Sequence, residues 1–265
     1  RDTRDELGIG TVRDAFANIL FPGTTTIQTR ARYFLFIPWI YLGLEEKLRR
    51  KSFTSKEELA KAARRDEIAL IDTLKSSDDS DGTIGVDARD KLKRLPSNIY
   101  WYGLGSWGIR RINASQDGYH RQLFRFGPPV AFTQKENDDN ADQSAAYNWH
   151  PAVLSMKPTD FPEKASFHFT TGESDFLKDQ IKGKKGRNAS LLSVLADEPG
   201  PWDKINFAWE HKLFVNNNLH PELEEIVSHA RNFSEVMHGA ALLYNLMLAR
   251  LSNEKFSSWE EKIPF

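Results

Sequence analysis

Apolar and polar positions alternate along this chain with a helical period. Val12, Phe16, Ile19 and Leu20 recur on one side of a segment that Thr11 and Asp14 can cap, and Pro22-Gly23 ends it. Thr24–Thr26 can open a second helix, which would carry the run TRARYFLFIPWIYL at 29–42. That run is apolar on every side, so it reads as buried, with Arg30 and Arg32 at its entrance. Pro38 should kink or divide it, and the cations Lys47, Arg49, Arg50 and Lys51 suit a helix C-terminus. Ser55 and Glu58 form a capping box for a third helix with Leu59, Ala63, Leu70 and Leu74 as its stripe. A short helix around 86–95 should stop at Pro96. The aromatic cluster at 99–107, broken by Gly103 and Gly105, is where a strand or tight turn competes with helix.

Residues 135–142 are polar, acidic and aperiodic, the best candidate linker. Beyond it, 173–181 and 190–196 read as short helices around a Gly-Lys loop. His220-Pro221 opens the strongest element of the second half, with proline at the first helical position. Leu223, Ile226, Val227, Ala230, Phe233 and Met237 line one face, and 240–249 is apolar nearly all round, which places it in the middle of a bundle. No repeat of about 20 to 50 residues is visible. The pattern predicts a mainly α fold, an irregular multi-helix bundle with long loops and room for a minor β-hairpin. An N-terminal helical region at 1–130 and a C-terminal one at 150–265 can be separate or one continuous domain.

Composition narrows the chemistry. The 265 residues are 40% hydrophobic and 28% charged, ordinary for a globular protein, with a formal net charge of −1. That balance excludes a generally basic nucleic-acid binder, leaving only local patches. With zero cysteines, disulfides, thiol nucleophiles and thiolate metal sites are excluded, which fits a reducing cytoplasm. The first residue is Arg1, with no apolar leader after it, as in a trimmed fragment. The run at 33–44 is well short of the ~20 residues of a spanning helix, so no membrane partner is expected.

Catalytic signatures are weak. Gly103, Gly105 and Gly108 match G-x-G-x-x-G, yet Arg110-Arg111 follows at once and no acid sits at the ribose-binding distance; an aromatic turn fits better. Asp79 and Asp81 before Gly82 resemble a calcium loop whose twelfth position is Ala88, where a bidentate glutamate is needed. Glu235 and His238 share a helix face but form one Glu-x-x-His where a di-iron bundle needs two. Glu45-x-Lys47 and Glu260-x-Lys262 read as helix-surface charge pairs rather than part of a metal-nuclease site. No cofactor and no metal ligand set is expected.

The basic clusters carry more. Lys178, Lys182, Lys184, Lys185 and Arg187, punctuated by Gly183 and Gly186, can follow a phosphate backbone. Arg110, Arg111 and Arg121, near Tyr119 and His120, offer a second candidate patch with aromatic neighbours. Arg30 and Arg32 adjoin a buried segment and so require carboxylate partners, which the region of Asp2, Asp5, Glu6 and Asp14 could supply.

The motifs DELGIG (5–10), RDAF (13–16), LFPGT (20–24), TRARYF (29–34) onward to Trp39, IYWYG (99–103), WGIR (107–110) and HGAALLYNL (238–246) together resemble a bacterial family known only as a domain of unknown function. The resemblance runs through most of the chain. It implies a component of mobile or defence gene islands, beside helicase and nuclease-like genes, and brings no catalytic residue with it. The expected role is a non-catalytic component that contacts DNA or RNA or assembles with a helicase or nuclease partner. Two alternatives stay open: a metal-dependent nuclease with dispersed carboxylates, and a protein-interaction module with exposed aromatic anchors.

Overall fold

A computed structural model describes residues 7–128, 148–183, 186, 190–198, 205–215 and 219–251. Among them lie ten α-helices and no strand. The room left for a β-hairpin is taken by one isolated antiparallel bridge, Arg110 to Trp149. The expected linker at 135–142 lies outside the described residues. The chain divides into two compact units, one of residues 22–186 and one joining 1–21 to 187–265.

Helix α2 (Tyr33–Arg49) is the axis of the first unit, packed by α3 (Lys56–Lys75), α4 (Pro96–Ser106) and α6 (Pro151–Met156). Neighbours on several sides are what an all-round apolar helix needs, and every residue from Tyr33 to Tyr41 is buried. Pro38 sits inside α2 without dividing it, because that packing holds the helix across the lost N–H. The helix starts at Tyr33, later than Thr24–Thr26, because the Tyr100 hydroxyl accepts from the Thr29 and Arg30 amides and holds the entry in turns. Ser55 caps α3 by accepting from the Glu58 amide, and Leu59, Ala63, Leu70 and Leu74 are buried.

Proline 96 begins α4 rather than ending a helix. Residues 86–95 keep a single 3-10 turn, Arg89–Lys91, and the extended Leu95 presents Pro96 at the first helical position. Ile99 and the aromatic residues 100–102 are therefore helical, neither strand nor turn. Gly103 is required by close approach: a Cβ there would lie 2.3 Å from the Gly23 carbonyl oxygen and 2.8 Å from the Phe34 ring. Helix α5 (Gln116–Phe126) packs on α3, and α7 (Thr171–Lys182) packs on α6 with a Thr170–Glu173 capping box.

The second unit is built on α1 (Ile9–Leu20), α8 (Leu191–Leu195), α9 (Lys212–Val215) and α10 (Pro221–Leu251). Its core gathers Leu20, Leu191, Val194, Leu213, Leu219, Leu223 and Val227. Phe16 of α1 meets Phe233 of α10 at 5.7 Å between ring centroids. The C-terminal part of α10 departs from the sequence reading. Leu242, Leu246 and Ala249 are buried, but Leu243 is 54% exposed, Tyr244 63% and Met247 56%. Residues 240–249 are thus no central bundle helix. One ridge is packed, and the rest of an apolar surface faces solvent.

Candidate functional site

Three arrangements in the structure hold chemistry: a set of buried carboxylates, the arginines around α2 and α4, and the open face of α10.

Glu67 lies on the stripe of α3 one turn from Ala63 and from Leu70, and only 1% of it is exposed. Its carboxylate accepts from the Ser97 hydroxyl at 2.6 Å and the Ser97 amide at 2.8 Å. Gln116 Nε2 donates to Ser97 Oγ and to Tyr41 Oη, which extends the network across α2, α4 and α5. Burial pushes the Glu67 carboxyl up to about 7, with the Ser97 bonds pulling the other way. Glu45 of α2 is 2% exposed and accepts from Tyr119 Oη, from Asn148 Nδ2 at 3.0 Å and from Trp149 Nε1 at 3.2 Å. Burial raises its pKa as well, against the pull of those bonds. Glu45 is therefore buried and does not pair with Lys47, which turns to Asp66 at 2.8 Å; the half-exposed Arg49 reaches Glu45 Oε2 at 4.0 Å. Glu67 spends both oxygens on Ser97, and Glu45 gathers three donors on Oε1 with Arg49 4.0 Å from Oε2; enclosed in this way, both acids fit a role in specifying the core. Among the described residues no group of three His, Asp or Glu side chains is placed to hold a metal ion. Asp79 of the calcium-like loop is bound to Arg30, and Glu235 to Arg231 at 2.8 Å. Glu260 and Lys262 lie outside the described residues.

Arg30 and Arg32 have carboxylate partners, drawn from distant sequence. Arg30 pairs with Asp79 and lies 4.8 Å from the Phe167 ring centroid. Arg32, 8% exposed, pairs with Glu173 at 2.7 Å and donates to the Ser166 carbonyl at 2.8 Å. Asp14 pairs with Arg13 instead, while Asp2, Asp5 and Glu6 lie outside the described residues. Beside Arg32 opens a cleft of 680 Å³, and Asp72, Asp78, Asp160 and Glu163 make its lining predominantly acidic.

The remaining cations are scattered. Lys178 and Lys182 are half-buried on α7; Lys184, Lys185 and Arg187 lie outside the described residues. Arg121 is exposed and bound to Asp117 within α5. Tyr119 and His120 are 0% and 6% exposed, so neither can stack on a base. Arg110 turns inward to the carbonyls of Ile112, Ala114 and Trp101, leaving Arg111 exposed beside it. A pocket of 330 Å³ opens there, lined by Tyr102, Gly105, Ser106, Arg110, Arg111, Ile112 and Asn113. The G-x-G-x-x-G glycines thus sit at the end of α4, not between a strand and a helix N-terminus, and no dinucleotide cradle forms.

On α10 the exposed large apolar side chains are Val236, Leu243, Tyr244, Met247 and Leu248; Val236, Leu243 and Met247 are seven and four apart, and Tyr244 and Leu248 four apart. Gly239, Ala240 and Ala241 are exposed within the same stretch, and nothing lies within 4 Å of a Cβ built at Gly239. From 239 to 249 there is no charged residue.

The family model for DUF6361, a family of unknown function, matches residues 1–258. The chain belongs to that family. No curated protein matches it, and no solved structure does. Among the described residues of this DUF6361 member no helix is long and apolar enough to cross a membrane.

Proposed function

We propose that this DUF6361 chain is a non-catalytic assembly component that takes up an apolar helix of a partner protein on the open face of α10. One observation carries the reading: the uncharged stretch at 239–249 exposes Leu243, Tyr244, Met247 and Leu248 at helical spacing. Solvent-exposed apolar ridges of this kind mark interaction sites. A helix is the occupant that fits, because knobs spaced by three and four residues beside the small residues 239–241 form the ridge and hole pattern of helix pairing. A complementary partner stripe would be apolar and uncharged. From the resemblance to defence-island families, a helicase or nuclease is the partner expected.

With no cysteine in the sequence, Met247→Cys gives the purified chain a single thiol, which is loaded with a short photo-crosslinker before the chain is mixed with cell extract. The expected result is one discrete adduct to another chain, lost when Leu243→Glu is added and not formed from a control cysteine at the exposed, polar Glu225. An adduct to a second copy of this chain would replace the partner with self-association. No adduct, or the same adducts from both thiols, overturns the reading.

A further inference from the structure

The 330 Å³ pocket at the end of α4 is independent of the α10 surface and calls for a ligand of its own. Every residue lining it is uncharged except Arg110 and Arg111. Among the described residues Arg110 has no carboxylate within ion-pair distance, unlike Arg30 and Arg32. Its partners are three backbone carbonyls and the Trp101 ring, 5.0 Å from the guanidinium carbon. Its Nε is buried with no hydrogen-bond acceptor among the described residues. An arginine that is only 9% exposed and has no counter-charge among the described residues costs free energy, and an anion in the adjoining space would offset that cost.

Several features say which anion. Gly105 clears the space behind the guanidinium, since a Cβ there would lie 2.4 Å from Arg110 Nη2. Arg111 is exposed at the rim, where its planar fork suits a phosphate. Tyr102, 58% exposed on the last turns of α4, adds an aromatic side chain to the lining of the same pocket. Ser106 and Asn113 add exposed hydroxyl and amide groups. The larger cleft beside Arg32 sets four carboxylates against Arg32 and Lys164, a net negative lining that disfavours the same ligand.

We infer that this pocket binds a nucleotide, its phosphate against Arg111 in the field of Arg110 and its base stacked on Tyr102. The nucleotide can be free or belong to a single strand, and both sources share that chemistry. Titration of the full chain with thymidine 5′-monophosphate, inorganic phosphate and a short 5′-phosphorylated oligothymidine separates them. Saturable binding of the mononucleotide, tighter than that of inorganic phosphate, is expected. Arg111→Gln and Tyr102→Ala should each weaken it roughly tenfold, as loss of a phosphate or stacking contact does. Both residues are exposed, and matching far-ultraviolet dichroism and melting temperature establish that the variants fold. Oligothymidine bound tighter than the mononucleotide, with the same variant losses, assigns the site to a strand; equal affinities assign it to a free nucleotide. Inorganic phosphate binding as tightly as the mononucleotide, affinity unchanged in both variants, or no binding of any probe overturns the inference.

Discussion

Two apolar runs, 33–41 on α2 and 240–249 on α10, look alike as strings and behave differently in the fold. The first is buried at every residue, from Leu35 at 0% exposure to Ile40 at 5%. In the second, the ridge of Leu242, Leu246 and Ala249 is covered while Leu243, Tyr244 and Met247 stand open. Apolarity states what a helix surface would lose by facing water; it does not supply the neighbours. Helix α2 has α3, α4 and α6 on its flanks, whereas the one helix that packs extensively on α10 among the described residues is α1. Apolar surface that the described residues leave uncovered on a helix is what the proposed partner helix would bury.

Variants can break that contrast. The largest losses should come on the α2 side. Glu173→Ala strands the Arg32 guanidinium in the interior and should cost about 3–5 kcal/mol of unfolding free energy. Trp39→Ala, which also removes a hydrogen bond to the Val153 carbonyl, belongs in the same range of about 3–5 kcal/mol. Urea denaturation followed by tryptophan fluorescence measures both. A loss under 1 kcal/mol in either would mean that α2 is less enclosed than its burial indicates.

Next comes a pH effect from the acid on the α3 stripe. The Glu67 carboxyl is raised from 4.5 to about 7, so the folded state holds a proton that the unfolded chain releases at lower pH. Its contribution is complete below 4.5 and is lost as pH rises towards and through about 7, on the order of 3 kcal/mol in all. Glu67→Gln removes that slope. Glu45, also raised, adds a slope of the same sign, and His120, lowered by desolvation, one of opposite sign, so the difference between wild type and Glu67→Gln is the quantity to measure. Parallel stability curves from pH 4 to 8 would show that Glu67 titrates normally.

Gly103→Ala should follow at about 1–3 kcal/mol, because the added methyl meets the Gly23 carbonyl and forces α4 away. Smallest of all is Leu243→Ala, expected within about 0.5 kcal/mol of wild type in the isolated chain. A loss comparable to that of Trp39→Ala would erase the difference between the two runs and show Leu243 to be a core residue.

Much of this was legible in the pattern. The mainly α architecture, the α3 stripe with its Ser55 cap and the start of α10 at Pro221 follow from local rules of periodicity and capping. The buried acids left a trace too. Glu67 continues the 59, 63, 70, 74 stripe, and Glu45 falls four residues after Tyr41 on a helix apolar through Leu44. An acid in register with a core face is a buried acid in waiting. The site residues were harder to place, since Arg110 and Arg111 are neighbours in sequence but one faces inward and the other outward.

What the residues alone determined were the local quantities: where helices cap, which faces avoid water, and that Arg30 and Arg32 would need counter-charges. Which acids answer them, Asp79 at 49 residues' separation and Glu173 at 141, was decided by the packing of α2. So were the openness of α10 and, among the described residues, the counter-charge missing at Arg110. Hydrogen bonding along a helix is set within a few residues, but cover and charge neutralisation depend on whatever the rest of the chain brings alongside.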